Sequence, residues 1–450
     1  MFVCGPTVYD RSHIGHARTY LAYDIIARYL RAKGYSVFYL MNITDIDDKI
    51  IKRANELGQN PLMLADKFRR DFLQDMHSLD IESVNLYAKA SEHIPEIISQ
   101  ISILIDNQFA YQVDGDVFFD VSRFPTYGKL SHQDIDQLTT HRIDPDPRKK
   151  NVVDFVLWKS EKPGEPAWES PWGRGRPGWH IEDTAITTTY LGPSYDVHGG
   201  GLDLIFPHHE AEIALAEAAT GKRPLVKYWI HSGLLTVSGS RMGKSMGNFI
   251  TIKDALLKHD PETLRLYFAA SHYRSQLEYD ESHVAQTEQI LDRLRAVHNQ
   301  FKSLQATTKG ALPEADKAHR IIAQAKDEFD SAMDDDFNTP RAIAAMIGFA
   351  KDIEPYANDR LNQGVLDEAL TLFTYFGNIF GILQSKGTVF ERIFEEVLDM
   401  VLSTRDEARK KGDWGESDRI RDSLRNLGVI VEDSAEGVRW HLKPVGEKSA

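Results

Sequence analysis

The first 45 residues alternate between two hydrophobic patterns. "MFVCG" is a continuous apolar run of strand length, and "ARTYLAYDIIARYLRAKG" sets Leu21, Ile25, Ile26, Tyr29 and Leu30 at helical spacing, stopping at Gly34. "YSVFYLMNIT" reads as a second buried strand. Strand, loop, helix and strand make a βαβ unit, which predicts an α/β domain built on a doubly wound parallel sheet. Helical segments follow to residue 108. From "DGDVFFDVSRFPTYGKLS" the pattern changes to short strands and turns, and "SYDVHGGG" and "LVKYWIHSGLLTV" later resume the strand-then-loop pattern, so residues 109–170 read as an insertion splitting one sheet.

The expected divisions are therefore 1–108 and 171–230 for the two halves of the sheet domain, 109–170 for the insertion and 231–280 for a linking region with a basic loop. Beyond residue 281 the chain turns helical, with Val284, Ile290, Leu291, Leu294, Val297, Phe301 and Leu304 on one stripe, which predicts a helical bundle over 281–384. Residues 385–450 read as a small α+β module, a helix over "RDEARKKGDWGESDRIRDSLRNLG" followed by a hairpin turning near Glu436 and Gly437.

Composition narrows the function classes. No apolar run is long enough to cross a bilayer and the N-terminus has no secretory pattern, so a cytoplasmic protein without a membrane partner is expected. Lys and Arg number 53 against 67 Asp and Glu, a net charge of −14, which argues against a broad nucleic-acid surface but leaves room for a local one. One cysteine, Cys4, excludes an intrachain disulfide and is either a small buried hydrophobe or a metal or redox group.

Two loops carry candidate chemistry. "HIGH", His13 to His16, lies where the first strand meets the first helix; its imidazoles either cap that helix or, with Gly15 permitting close approach, donate to phosphate oxygens. "SGSRMGKSMGNFITI" is a glycine-flanked loop in which Arg241 and Lys244 can neutralise charge on a departing pyrophosphate. "FPHHEAEIA" places His208 and Glu212 four apart on one helix face, able to converge on one ion, without the His-Glu-x-x-His spacing of zinc peptidases.

Together these loops resemble class I aminoacyl-tRNA synthetases, and within them the cysteinyl-tRNA synthetase family. The resemblance runs through "CGPTVYDRSHIGHAR", "NITDIDDKIIKRA", "DGDVFFDV", "HGGGLDLIFPHHEAEIA", "YWIHSGLL", "KSMGN", "SHYRSQLEY", "DDDFNTPRA" and "GDWGESDRIRDSL". It implies a Rossmann-type catalytic domain, a phosphate loop, a helical bundle and a C-terminal anticodon-binding module. It implies ATP with Mg²⁺, L-cysteine and tRNA(Cys) as partners, and a monomer. ATP would lie over His13, Gly15, His16, Gly199, Gly200, Asp203, His231 and Lys244, with His13, His16, Arg241 and Lys244 catalytic. Thr44 and Trp179 would line the cysteine pocket, although core packing is an equal reading of Trp179. Arg405, Arg409, Trp414 and Arg421 are expected against tRNA, and Arg148, Lys149 and Lys150 form a second basic cluster in the insertion.

The resemblance also implies one Zn²⁺ bound by Cys4, His208, Glu212 and a second cysteine. Here that cysteine is Asp183, in "HIEDTAI". A carboxylate keeps the ligand charge but hardens the donor set, so retained zinc with altered selectivity against serine is expected. Arg241 and Gly243 also depart from the family's second loop, and the family carries a further segment ahead of the first strand. Two rival readings stand beside this one. A ligase passing activated cysteine to an amino sugar would lack the long C-terminal region, and a silent tRNA-binding paralogue would lack catalysis.

Overall fold

The computed structural model describes residues 1–133, 146–242, 247–304, 312–358, 361–384, 389–434 and 437–442. The chain forms two compact units, Met1–Gln384 and Ser385–Ala450. The first is built on a five-stranded parallel sheet in the order Leu86–Lys89, Leu40–Ile43, Phe2–Val3, Tyr195–Gly201, Val226–Ser232. Phe2 and Val3 are fully buried and paired on both sides, to Leu40 and Met41 and to His198 and Gly199. Strand order reverses beside this central strand. Ligands of such sheets bind beyond the C-terminal strand ends at that point, and Cys4 and Gly199 to Gly201 all lie there.

The second strand is shorter than the sequence pattern predicts. Only Leu40–Ile43 pairs, while Tyr35 and Phe38 are exposed, because the neighbouring ladder begins with Phe2 opposite Leu40. The first helix, Ile14–Ala32, is covered on two sides, which accounts for its apolar residues spreading over more than one face. Ile14, Tyr20, Leu21 and Tyr23 join the core of the sheet domain, whereas Ile25 and Tyr29 join the core of the helical bundle.

The insertion is a four-stranded antiparallel sheet, Ala110–Val113, Asp116–Phe119, Phe155–Ser160 and Gly175–Pro177 in spatial order. Its last strand lies past residue 170, the expected edge. A Cβ at Gly175 would sit 2.2 Å from the Lys159 carbonyl oxygen, so the glycine that reads as loop is what lets these strands approach. The bundle helices are Glu281–Ser303, Leu312–Asp334, Thr339–Ile353 and Gln363–Phe380. The first of them buries Val284, Leu291, Leu294, Val297 and Phe301 as its stripe predicts; Ile290 is exposed instead.

The second unit pairs the helices Val389–Lys410 and Trp414–Asn426 with an antiparallel hairpin, Val429–Ser434 and Gly437–Leu442, around Leu398, Leu402, Leu424 and Val429.

Candidate active site

Cys4 follows the central strand directly. Asp183 occupies the first turn of the helix Ile181–Leu191, whose N-terminal end favours an anion, and His208 precedes the helix Glu210–Thr220 that carries Glu212. The fold brings Cys4, Asp183 and His208 into one group, while Glu212 groups with His198 and His209 and reaches the first group through His208. His208 Nε2 lies 2.9 Å from Asp183 Oδ2, 3.1 Å from Glu212 Oε1 and 3.3 Å from Cys4 Sγ. One ring nitrogen makes a single well-directed hydrogen bond and cannot satisfy all three neighbours at once. Asp183 Oδ2 and Glu212 Oε1 have no hydrogen-bond partner among the described residues, although both side chains are buried. Burial and the neighbouring carboxylates push the Cys4 thiol and Glu212 well above their ordinary pKa ranges. The sulfur, nitrogen and carboxylate oxygen of Cys4, His208 and Asp183, with Glu212 Oε1 3.1 Å from the same ring nitrogen, make a donor set suited to a divalent cation such as zinc.

Two residues that sequence reasoning missed hold these ligands in place. His180 Nδ1 is 2.6 Å from His208 Nδ1, which fixes the ring so that Nε2 faces the cluster. His180 itself has φ 76°, a strained conformation for a non-glycine residue at the start of the Ile181 helix. Asn42, fully buried in the second strand, donates through Nδ2 to Asp183 Oδ1 and to Thr44 Oγ1, and accepts from Gly5 N through Oδ1. A polar residue inside the apolar run "LMNI" was the available signal.

His209 and Glu210 do not face the cluster formed around His208 Nε2. His209 Nδ1 pairs with His231 Nε2 at 2.9 Å, and Glu210 Oε2 accepts from the Leu130 and Ser131 N–H groups of the insertion. His198 Nε2 lies 3.5 Å from Glu212, placing a second group of buried histidines behind the first.

The HIGH loop shows one geometry compatible with both of its sequence readings. His13 caps the first helix, its Nδ1 accepting from Gly15 N at 3.1 Å, and His16 Nδ1 accepts from His13 N at 3.3 Å. With both Nδ1 atoms accepting, the neutral rings carry their protons on Nε2 and are donors there. Burial and His13 hold His16 well below the usual imidazole range, so it stays neutral at physiological pH. The rings stack 3.8 Å apart, and a Cβ on Gly15 would meet His13 Cε1 at 2.9 Å and Met242 Cε at 3.0 Å. Met242 follows Arg241, and Ile14 N donates to Ile250 O at 3.1 Å, so the two ends of the basic loop bracket the HIGH turn. Lys244 and the Arg241 side chain lie outside what the structure describes; the Arg241 backbone pairs with Thr236.

At the strand ends the glycines alternate faces. Gly199 abuts the Tyr23 ring, Gly200 the His209 ring and Gly201 the Asp203 carboxylate. The Tyr23 hydroxyl lies 2.8 Å from Gly200 O and 2.6 Å from Ile230 O and accepts from Gly200 N, joining two strands from the first helix. Packing therefore already requires Gly199 and Gly200 to be glycine. His231 is pushed down to about 4 by burial and Arg274. Trp179 is 47% exposed and stacks on His180 at 4.9 Å, with Lys49 Nζ 5.8 Å from its ring, so it is not a core residue. Thr44 is buried beside Asn42.

Comparison with known proteins decides the family. The model of the class I (C) tRNA synthetase catalytic domain matches residues 1–289, a DALR domain matches 328–384, and the cysteinyl-tRNA ligase anticodon binding domain matches 394–440. The chain belongs to the cysteine–tRNA ligase family. It is 44% identical to the cysteine–tRNA ligase of Thermococcus onnurineus and 45% identical to that of Thermococcus kodakarensis, each match covering 98% of this chain and 94% of the relative. The enzyme of Moorella thermoacetica is 42% identical over the same shares. Among solved structures, the fold is shared with Mycobacterium tuberculosis methionyl-tRNA synthetase in complex with methionyl-adenylate (TM-score 0.58, 16% identity, covering 85% of this chain and 89% of that one). It is also shared with a LeuRS–tRNA–LeuAMS ternary complex from Agrobacterium radiobacter K84 (TM-score 0.62, 11% identity, covering 85% and 84%).

The chain is thus a class I aminoacyl-tRNA synthetase acting on cysteine, ATP and tRNA, and neither the amino-sugar ligase nor the silent paralogue is favoured. No helix among its described residues is long and apolar enough to cross a membrane. In the anticodon-binding unit one expectation needs correction. Arg405 is 2% exposed, so its guanidinium is held inside the unit and is not presented to a phosphate. Trp414 is exposed, with Arg409 5.9 Å from its ring, and Arg421 is exposed beside Asp418. In the insertion, Arg148 pairs with Asp116 and Asp146, and Lys150 lies over Tyr111.

Proposed function

We propose that this chain activates L-cysteine with ATP-Mg²⁺ and transfers it to tRNA(Cys), using a zinc ion held by Cys4, Asp183, His208 and Glu212. The observation that carries the zinc assignment is the grouping of Cys4, Asp183 and His208, with Glu212 3.1 Å from His208 Nε2 and with Asp183 Oδ2 and Glu212 Oε1 lacking a hydrogen-bond partner among the described residues. When bound, zinc supplies a soft Lewis acid that takes the substrate's thiolate in preference to a serine hydroxyl. Thr44 and Trp179 border that position, and Asn42 and His180 keep the ligands aimed at it.

ATP would extend from the HIGH turn, where His13 and His16 present Nε2–H donors, to the strand ends at Gly199, Gly200, Asp203 and His231. A neutral His231 suits contact with an uncharged base. Gly15, with no Cβ, keeps the backbone of the HIGH turn open to close approach, and Arg241 and Lys244 would neutralise the departing pyrophosphate. Exposed Trp414 and Arg421, with the half-buried Arg409 beside the Trp414 ring, form the cation and aromatic set for an unstacked anticodon base. With catalytic and anticodon-binding parts on one chain, the proposal is for a cytoplasmic monomer.

The test is metal analysis of the purified protein together with pyrophosphate exchange driven by cysteine or serine. One equivalent of zinc, lost with activity on chelation, is expected. Full cysteine activity in protein containing far less than one equivalent of zinc would refute the metal role.

A further inference from the structure

The turn between the second and third bundle helices, in "DDDFNTP", has two consecutive non-glycine residues in the left-handed region, Asp336 at φ 54° and Phe337 at φ 53°. Such strain persists only where the surroundings over-determine it. Here the surroundings are the loop His272–Ser275. Asp336 Oδ1 accepts from Tyr273 OH at 2.7 Å and from Arg274 at 3.0 Å, Oδ2 lies 2.9 Å from Arg274 Nε, and the Asp336 carbonyl faces His272 Nε2 at 3.1 Å.

That loop grips two elements of the proposed ATP site. Tyr273 O accepts from Gly233 N at 2.7 Å, two residues beyond His231, and Gly233 packs so closely that a Cβ would lie 2.6 Å from Arg274 O. Arg18, buried on the first helix two residues after His16, donates to Gly233 O at 2.8 Å, Leu234 O at 2.6 Å and Ser275 O. Phe337 and Thr339 border, with Arg18, Ser232 and Tyr273, a cavity of about 20 Å³, room for roughly one water. The bundle turn, the loop and both sides of the nucleotide site are therefore one contiguous contact chain.

We propose that Asp336 is a positioning residue: a strained clasp through which the helical bundle sets the His272–Ser275 loop, and with it the spacing between the HIGH helix and the strand ending at Ser232. Among the described residues, the clasp's hydrogen bonds and ion pairs are with His272, Tyr273 and Arg274 and none is with Cys4, Asp183, His208 or Glu212. Its loss should weaken ATP binding and leave cysteine binding alone. The inference rests on ATP lying between the HIGH turn and His231.

The test is cysteine-dependent pyrophosphate exchange with Asp336→Gly, Asp336→Asn, Arg274→Ala and the Asp336→Gly/Arg274→Ala double variant. Glycine accepts the left-handed backbone but removes the carboxylate, whereas asparagine keeps the backbone tolerance and the acceptor for Tyr273. Asp336→Gly should raise KM for ATP about tenfold, the size of one charge-assisted hydrogen bond, with KM for cysteine and zinc content unchanged. Asp336→Asn should recover part of that loss, and the double variant should be no worse than Asp336→Gly alone. A KM for ATP unmoved in Asp336→Gly, equal changes in both KM values, or additive effects would overturn the clasp. Full exchange in His16→Ala would instead overturn the placement of ATP on which it rests.

Discussion

Two clusters of buried charge, one joining the first helix to Arg265 and one at the strand ends beside Cys4, are built on opposite rules. In one, Asp24 and Arg265 are both fully buried and every group is answered. Asp24 accepts from Arg28, Arg265 and Ser83 N, while Arg265 donates to Asp24 and to the carbonyls of Leu79, Asp80 and Phe380. In the other, Asp183 and Glu212 are as deeply buried, yet each leaves an oxygen without a hydrogen bond among the described residues. A completed network fixes how the catalytic sheet meets the bundle, and an incomplete one is a socket for something outside the chain. Burial of charge does not separate these two clusters; the hydrogen bonds their charged groups make do.

The contrast makes opposite predictions for isosteric neutralisation. Asp24→Asn leaves Arg265 buried without a counter-charge and should destabilise the protein by about 3–5 kcal/mol in chemical denaturation. Asp183→Asn removes one of several mutually repelling groups, so in chelator-treated protein its unfolding midpoint should equal or exceed that of the parent, while zinc affinity falls by at least about a hundredfold in a competition titration. A fall in metal-free stability for Asp183→Asn matching that of Asp24→Asn would erase the distinction. Asp183→Cys is the complementary change. It should hold zinc and increase the ratio of cysteine to serine in pyrophosphate exchange, because a softer donor set favours the thiolate.

Only part of this contrast was legible in the sequence. Cys4, His208 and Glu212 could be placed because their flanking motifs are long and ordered, and the parallel sheet because its strands are apolar runs separated by helical periodicity. Asn42 and His180 carry no motif of their own, and their role exists only once the second strand and the Ile181 helix converge on Asp183. Arg405 misled for the opposite reason: charge count along a helix says nothing about which face is covered. The Asp24–Arg265 pair joins positions 241 residues apart, a separation across which no periodicity speaks.

Asn42 gives a finer test of the socket, because it touches Asp183 and is not itself expected to ligate metal. Asn42→Ala should lower zinc affinity by about 10–100-fold, the range for removing a residue that orients a ligand, with KM for ATP unchanged. A change no larger than threefold would mean that Asp183 is held by its helix alone.

The smallest expected effect concerns a carboxylate between the two extremes. Asp75 is part-buried beside Asp71, and burial with that repulsion pushes it up to about 6, against the opposing pull of Arg11 and Lys253. Its folded-state pKa lies above the ordinary aspartate value near 3.8, so the folded chain holds the proton more tightly than the unfolded one. Stability from this group is present below pH 4, declines as pH rises from about 4 to 6, and is flat above that window. Asp75→Asn should therefore be neutral at pH 4 and stabilising at pH 7.5, by of order 1 kcal/mol once solvent screening of a part-buried group is allowed for. Unfolding midpoints at the two pH values measure it. Equal midpoints for parent and variant at pH 7.5 would mean that Arg11 and Lys253 already answer Asp75, moving it to the satisfied class with Asp24.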